Sequence, residues 1–460
     1  MRWRRRIWIL LIIGVIVLAS YLLTGELTPK ERGGLVILLL TASLWISEAI
    51  PLPATSLLVP FLQPLFGLQS FSSALEPFFA PVVALLLGGF LLAKAVEKHD
   101  LDEYLANLVL SKVRAKPRIV VLALMSATAF LSMWMSNTAS AALMLTIALR
   151  LVAAIEERDP NLSKVIVLGV AYSSTVGGIA TLVGTPTCAL AAGALRDLLG
   201  YELTFLGWSL YGLPITVAMI LIIWLLLFAL FRPRIGEIPR AVKRVGPLKR
   251  RQKLTLVIFL AAVLLWSSER LPEPLAELVG WRGHGLSSGM VSLLVAVVLF
   301  STELLEGPDL SGVNWGALLL IGGGLSLGSA LEVSGLTRLI SGGLVHLTKE
   351  AFVGAIIPLT AFSAITLSIV ASNTASASIF LPIAIDLGTI TGTNPVILAV
   401  VVGICSSLDF MLPVGTPPNA IAYSTGKVTM GEMIRAGVLL DIIGCVLTVI
   451  LALSLWPLIA

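Results

Sequence analysis

Two short polar motifs lie within long apolar stretches of this 460-residue sequence, and their side chains are the ones best suited to binding a small ion. Each is a Ser-Asn-Thr tripeptide, at 136–138 and 372–374, and another serine stands four residues before it, at Ser132 and Ser368. Asn and Thr suit the N-cap of a helix that restarts there. Such a half-helix directs N–H groups and a positive dipole end at an anion, and the oxygens that end the preceding half suit a small cation. Tight helix packing is the alternative role, and the duplication disfavours it.

A Gly-Thr-Pro motif follows each tripeptide, at 184–186 and 415–417, inside another apolar stretch. Proline removes a helical N–H and glycine relaxes the backbone, so we expect both helices to unwind here. Unwound backbone within a membrane must be buried in protein or line a wet cavity, and its free carbonyl groups are further cation ligands. None of the four motifs contains Lys or Arg. Helix termini, hydroxyls, amides and co-bound cations must therefore hold any anion.

The composition places these motifs in a membrane protein. Hydrophobic residues make up 57% of the chain and charged residues 12%, about half of the roughly 25% found in soluble domains. A soluble enzyme, a disordered chain and a nucleic-acid-binding protein are excluded. The apolar segments are long enough to cross a bilayer. They predict an all-α polytopic fold with about eleven transmembrane helices, at 7–23, 34–50, 54–68, 78–97, 165–195, 208–231, 254–268, 287–302, 315–333, 395–424 and 434–457.

Two apolar segments, 119–149 and 351–385, are too long for one span and too short for two. Each contains one tripeptide, which predicts a re-entrant helical hairpin that enters and leaves by one face. Residues 1–33 are interpreted as a cytoplasmic basic end and a first span, because the apolar run is too long for a cleaved signal. The linker 232–253 holds nine Lys or Arg residues and one Glu, which favours the cytoplasm. The C-terminus then lies on the outer side of the cell membrane, in which the chain is expected to reside.

The order of the motifs repeats along the chain. Trp-x-Ser-Glu at 45–48 recurs at 266–269, and the tripeptides and the Gly-Thr-Pro motifs recur at offsets of 236 and 231 residues. The chain therefore divides into a first copy, 34–231, and a second copy, 254–460, each with five spans and one hairpin. An odd number of crossings inverts the second copy relative to the first. Inverted repeats whose broken helices meet near the midplane of the bilayer are typical of secondary transporters.

With these motifs the sequence resembles the divalent anion:sodium symporters, the sodium:sulfate/dicarboxylate symporter family, over residues 34–460. The stretch Trp-Ile-Ser-Glu-Ala-Ile-Pro-Leu-Pro at 45–53 and a signature at 406–419 carry the resemblance together with the tripeptides. The resemblance implies a scaffold domain that forms a homodimer and a transport domain that moves like an elevator. It also implies that two or more sodium ions are co-transported, with no organic cofactor.

The resemblance also assigns roles residue by residue. The first sodium site would use Ser132, Ser136, Asn137 and Gly184. The second would use Ser368, Ala371, Asn373 and Gly415, the Ala and the Gly through their carbonyls. The substrate carboxylates would meet Asn137, Thr138, Asn373, Thr374, Thr416 and Pro417.

Two features depart from the family's pattern. The first Gly-Thr-Pro is followed by Thr187 and Cys188, where the second copy has Pro418 and Asn419. Asp409 is an ionisable residue inside a broken span, where the resemblance leads us to expect a small or apolar residue. An intramembrane acid is a functional candidate by default, here as a possible coupling acid. A structural acid paired with a neighbouring donor is the alternative.

These features predict a sodium-coupled symporter that imports a small divalent anion, with a C4-dicarboxylate such as succinate, malate or fumarate as the expected substrate. A dicarboxylate exchanger, sulfate or citrate as substrate, and proton coupling through Asp409 are the alternatives. Asp386 and Asp409 would be the pair of an intramembrane aspartyl protease, but no Gly-x-Gly-Asp motif is present. A channel is a second rival class. We expect a non-enzyme whose partners are the anion, the lipid bilayer and a second copy of the chain, with no nucleic acid.

Overall fold

The protein is described here by a computed structural model that covers residues 2–111, 116–234, 236–237, 246–271, 273–348 and 354–459. Within these ranges the chain forms helices joined by turns, and no strand. Six described segments are long and apolar enough to cross a membrane: Phe71–Lys98, Pro160–Ile179, Phe205–Phe231, Trp315–Ser334, Asn373–Thr391 and Met430–Leu458. The expected helical, multi-pass class is confirmed, whereas the number of spans stays a prediction.

The helices are numbered in chain order. The first copy and its preceding segment contain α1 Arg2–Leu23, α2 Pro29–Ser47, α3 Leu52–Leu65, α4 Phe71–Leu75, α5 Pro81–Lys98, α6 Leu101–Ser111, α7 Pro117–Ser132, α8 Asn137–Ala153, α9 Pro160–Ile179, α10 Pro186–Leu199 and α11 Phe205–Phe231. The second copy contains α12 Arg250–Ser267, α13 Glu273–Val279, α14 Ser288–Ser301, α15 Trp315–Ser334, α16 Leu336–Thr348, α17 Ile356–Val370, α18 Asn373–Thr391, α19 Pro395–Cys405, α20 Pro417–Ser424 and α21 Met430–Ser454.

Local sequence signals set many of these boundaries. Proline lies in the first turn of α2, α5, α9, α10, α19 and α20, where its missing N–H costs no helical hydrogen bond. Thr28 forms a capping box with Glu31 at α2, and Thr429 forms one with Glu432 at α21. Gly200 ends α10 with a φ of 66°, a left-handed conformation that glycine adopts without a steric penalty.

Helix packing brings the four motifs into one region. Helices α7 and α8 pack against α9, and α17 and α18 pack against α19. In addition, α8 contacts α20 and α18 contacts α10, so each tripeptide-bearing pair touches helices of both copies. A large buried apolar cluster holds these helices together with α5, α11, α14 and α21. A smaller cluster joins α2, α3, α15 and α16.

The Gly-Thr-Pro motifs interrupt their helices as expected. The predicted span 165–195 consists of α9 and α10 with non-helical backbone at 180–185, and the predicted span 395–424 consists of α19 and α20 with non-helical backbone at 406–416. The longer interruption in the second copy leaves more backbone carbonyls outside the helical hydrogen-bond pattern.

Several boundaries differ from those read from the sequence. Helix α18 continues to Thr391, six residues beyond the predicted hairpin end at 385. Helix α12 begins at Arg250, inside the linker predicted at 232–253. Of that linker, 235 and 238–245 lie outside the described residues, as do 351–353 of the second hairpin. The helices α6 and α16, with 11 and 13 residues, were not predicted because segments this short do not resemble a span.

Candidate functional site

The first tripeptide lies between two helices and gathers oxygen atoms. Helix α7 ends at Ser132 and α8 begins at Asn137. The Ser132 hydroxyl lies 2.7 Å from Asn137 Oδ1 and 2.6 Å from the backbone oxygen of Ser174 on α9. A hydroxyl has one proton to donate, so Ser132 can donate to only one of these two acceptors at a time. Such an excess of acceptors suits a bound cation.

The second tripeptide repeats this arrangement. The Ser368 hydroxyl lies 2.9 Å from Asn373 Oδ1 and 2.6 Å from the backbone oxygen of Ser406. Ser406 follows α19 directly, as the first residue of the long interruption. The two motifs therefore build the same local structure in both copies, with three oxygens around one serine proton. We call these the first and the second oxygen cluster.

The residue at the N-cap position of each restarted helix is the serine and not the Asn or Thr that the sequence suggested. Ser136 precedes α8, and its hydroxyl accepts a hydrogen bond of 3.3 Å from the N–H of Ala139. Ser372 precedes α18, where it forms no side-chain cap. The shift by one residue has a geometric cause, since a capping side chain must precede the first helical residue. It leaves the Asn side chains available to the oxygen clusters.

The first interruption is tied to the end of α7. The Thr181 hydroxyl donates to the backbone oxygen of Met133 at 2.5 Å and accepts from the N–H of Gly184 at 3.3 Å. A Cβ added at Gly184 would lie 2.8 Å from the backbone oxygen of Ser132 and would overlap Gly178. Glycine is therefore required here by close backbone approach, and the predicted ligands Ser132, Asn137 and Gly184 share one neighbourhood.

The second interruption contains several buried polar groups. The Thr416 hydroxyl accepts a hydrogen bond of 3.4 Å from the N–H of Asn419 at the start of α20. Asn419 Nδ2 donates to the backbone oxygens of Asp409 at 3.2 Å and Leu412 at 3.1 Å. The carboxylate of Asp409 packs directly against Gly415, where any Cβ would overlap it. Asp409 is fully buried, and neither carboxylate oxygen has a hydrogen-bond partner among the described residues.

The remaining predicted ligands occupy different environments. Thr374 and Thr416 are buried, Ala371 and Asn373 are half-buried, and Thr138 and Pro417 are exposed. Ala371 ends α17 in extended conformation, which frees its carbonyl from the helix. Within the described part of the chain, no hydrogen bond joins Gly415 to Ser368 or Asn373. The structure brings Ser368 and Asn373 together directly, and Gly415 lies in the same interruption as Ser406.

Two contacts were not predicted. The backbone oxygen of Ser174 completes the first oxygen cluster, and a helical serine gives no sequence signal for this role because every residue has a carbonyl. The Thr187 hydroxyl lies 2.5 Å from the hydroxyl of Ser407, which joins the two copies. Thr187 and Cys188 are fully buried. The departure from the Pro-Asn pattern thus supplies a buried contact between copies.

A multi-pass helical protein with two broken helices and duplicated oxygen clusters has the architecture of a membrane transporter. The chain matches the family described as "Sodium:sulfate symporter transmembrane region" over residues 1–460. It is 35% identical over 452 residues to an "Uncharacterized transporter" of Haemophilus influenzae, with 97% of each chain covered. It is 30% identical over 447 residues to the "Sodium-dependent dicarboxylate transporter SdcS" of Staphylococcus aureus, covering 92% of this chain and 86% of the relative.

This protein belongs to the sodium:sulfate symporter family, which confirms the resemblance seen in the sequence. Its relatives are transporters, so the expectation of a non-enzyme is confirmed as well. The fold is similar to that of the YdaH transporter of Alcanivorax borkumensis, with a TM-score of 0.59, 17% identity, and 85% and 88% of the two chains covered. For MtrF of Neisseria gonorrhoeae the TM-score is 0.56 at 15% identity, with 83% and 82% covered.

Proposed function

We propose that this protein couples the inward flow of sodium to the import of a small divalent anion, with a C4-dicarboxylate such as succinate, malate or fumarate as the substrate. The observation that carries the proposal is the pair of oxygen clusters. In each, a serine hydroxyl lies within 2.9 Å of an asparagine Oδ1 and a backbone oxygen. The SdcS relative is named as a sodium-dependent dicarboxylate transporter, which supports the same ion and substrate class.

Each oxygen cluster would hold one sodium ion. Sodium at the first cluster would replace the shared serine proton as the partner of Asn137 Oδ1 and would draw on the carbonyl of Gly184, with Ser136 at the start of α8. Sodium at the second would bind Ser368 and Asn373, together with the carbonyls of Ala371 and Gly415. At least two ions would therefore accompany each substrate.

The bound ions would complete the anion site. The tripeptides and Gly-Thr-Pro motifs contain no Lys or Arg, so sodium and the N-termini of α8 and α18 must supply the positive potential. Two such helix starts suit a substrate with a carboxylate at each end. Its oxygens would meet Asn137, Thr138, Asn373, Thr374, Thr416 and Pro417.

The remaining architecture of the proposal rests on the repeated sequence for the topology and on the family resemblance for the dimer and the elevator motion. The two copies would be inverted, with the N-terminus in the cytoplasm, the C-terminus outside, and the chain in the plasma membrane. A homodimeric scaffold would hold a transport domain that carries the clusters across the bilayer like an elevator.

Uptake of radiolabelled succinate into proteoliposomes tests the proposal. An inward sodium gradient is expected to drive accumulation above the external concentration, with unlabelled fumarate and malate competing more strongly than sulfate or citrate. A matched potassium gradient is the control. Uptake that needs internal dicarboxylate and ignores sodium would indicate an exchanger, uptake driven by a proton gradient alone would indicate proton coupling, and flux without counterflow would indicate a channel.

A further inference from the structure

Helices α11 and α21 contact the two interruptions in the same way, which allows the two copies to be compared residue by residue. A Cβ added at Gly212 of α11 would overlap the backbone oxygen of Ile179, and a Cβ added at Gly437 of α21 would overlap the backbone oxygen of Phe410. The two glycines are 225 residues apart, and the two carbonyls are 231 residues apart. These contacts define which residues of the two copies correspond.

The comparison shows two carboxyl groups in the second copy where the first has none. Gly178 corresponds to Asp409 under the offset of 231, and Thr216 corresponds to Asp441 under the offset of 225. The Thr216 hydroxyl donates 3.1 Å to a backbone oxygen of α9. Asp441 Oδ1 instead accepts a hydrogen bond of 3.0 Å from the N–H of Phe410, the counterpart of Ile179. Two acids in the second copy thus stand where the first copy has neutral residues.

These two acids are buried without a cationic partner. Asp409 is 0% exposed and Asp441 is 5% exposed. No described Lys, Arg or His side chain forms an ion pair with either of them, and Asp441 Oδ1 accepts a hydrogen bond from the N–H of Phe410, the residue next to Asp409. An uncompensated buried charge is costly. The pair is therefore neutralised either by protons or by a bound cation.

A third buried side chain, that of Asn419, also has an oxygen without a hydrogen-bond partner among the described residues. Asn419 is 0% exposed, and its Nδ2 donates to the backbone oxygen of Asp409, while its Oδ1 has no hydrogen-bond partner in the described ranges. Together with both oxygens of Asp409 and Oδ2 of Asp441, four buried oxygens lack a donor among the described residues. Buried polar groups are normally hydrogen-bonded, so this concentration of free acceptors indicates a site for a ligand with positive charge.

We propose that Asp409, Asp441 and Asn419 form an additional binding site for a monovalent cation, sodium in the transport cycle, beside the second oxygen cluster. The inference rests on the proposed sodium symport. Ca²⁺ takes about six to eight oxygen ligands and Mg²⁺ a near-ideal octahedron, so four free oxygens favour an alkali cation. Because the Asp409 carboxylate packs against Gly415, occupancy of this site is linked to the conformation of the interruption.

Sodium binding to the purified full-length protein, without substrate, tests this site. Thermal stabilisation and calorimetry are measured against sodium chloride, with choline chloride holding the ionic strength constant. The decisive variants use the residues of the first copy, Asp409→Gly and Asp441→Thr, together with the conservative Asp409→Asn. We expect each to lose one bound sodium, or to raise the half-saturating sodium concentration of one site at least tenfold, about 1.4 kcal/mol.

A matched control removes a carboxylate elsewhere. Asp102 on α6 is 4% exposed, and Asp102→Asn is expected to keep the wild-type sodium stoichiometry. Folded Asp409 and Asp441 variants with unchanged stoichiometry and affinity would overturn the additional site. So would variants that change only the pH dependence of succinate uptake, since a proton would then be the occupant. Calcium in place of sodium as the stabilising ion would also overturn it.

The binding experiment separates this inference from the proposed function. If the wild type binds sodium through Asp409 but shows no sodium-driven succinate uptake, the function fails and the site stands. If uptake is sodium-driven and the ratio of labelled sodium to succinate is the same in wild type and Asp409→Gly, the function stands and the site fails. A ratio lower by one sodium in the variant supports both.

Discussion

The Thr187 hydroxyl lies 2.5 Å from the hydroxyl of Ser407, a hydrogen bond between residues separated by 220 positions. Thr187 is the second residue of α10, in one broken helix, and Ser407 lies just beyond the end of α19, in the other. Both residues are buried. The bond therefore fixes the two interruptions relative to each other, and through them the two oxygen clusters.

Replacing Thr187 by valine removes this bond while preserving side-chain shape. We expect the free energy of unfolding to fall by about 1 kcal/mol, the usual net value of one hydrogen bond. Reversible denaturant unfolding in bicelles measures the change. Thr187→Ser keeps the hydroxyl and serves as the control. Equal stability of the valine variant and the wild type would show that the contact contributes nothing to the packing of the copies.

Removing the asparagine oxygens should weaken sodium activation. In Asn137→Ala and Asn373→Ala, each cluster loses Oδ1, and we expect the sodium concentration for half-maximal succinate uptake to rise about tenfold or more, as for the loss of a charge-assisted contact. Thr146→Ala is the control, because this exposed hydroxyl on α8 bonds only within its own helix. Normal sodium activation in both Asn variants would show that the oxygen clusters do not bind the sodium that activates transport.

The glycines of the Gly-Thr-Pro motifs should differ in their tolerance of a methyl group. At Gly184 the obstacle is the backbone of Ser132 and Gly178, whereas at Gly415 it is the side chain of Asp409. Overpacking typically costs about 1–3 kcal/mol. We expect Asp409→Gly to restore the stability lost in Gly415→Ala, and no such partner to exist for Gly184→Ala. A double variant no more stable than Gly415→Ala would contradict this contact.

Some contacts within the oxygen clusters can be predicted from the sequence and others cannot, for a physical reason. Ser132 and Asn137 were found because a side-chain motif recurs in both copies, and their hydrogen bond is local. Ser174 was missed because it acts through its backbone, which has no residue signature. The pairing of Thr187 with Ser407 depends on how distant helices pack, and a single sequence carries no record of that distance.

The secondary structure also divides into features that local residues determine and features that depend on more than local sequence. The Gly-Thr-Pro interruptions were predicted because proline and glycine act locally. The short helices α6 and α16 were not, because an apolar-span template excludes segments of 11 and 13 residues. The significance of Asp441 appears only when α21 is compared with α11, since nothing in the sequence of α21 indicates that this acid contacts the residue next to Asp409, which lies 32 positions earlier.

Opposed labelling tests the inverted arrangement of the copies. Single cysteines at Thr138 and Thr374 would mark the starts of α8 and α18. Cys188 and Cys405 are buried and Cys445 is partly buried, so a Cys445→Ala background keeps endogenous labelling low. A membrane-impermeant reagent is expected to reach position 138 best from the cytoplasm when the site faces inward, and position 374, which is buried in this structure, best from outside in the opposite state. Equal labelling of both from one side in every condition would contradict inversion.

The central claim is that sodium at the oxygen clusters completes the anion site, and calorimetric titration with succinate tests it most directly. Binding is measured to the purified protein in saturating sodium and in choline. The account predicts that sodium raises succinate affinity, and that succinate raises sodium affinity by the same factor, because coupling between binding sites is reciprocal. Equal succinate affinity with and without sodium would contradict the account.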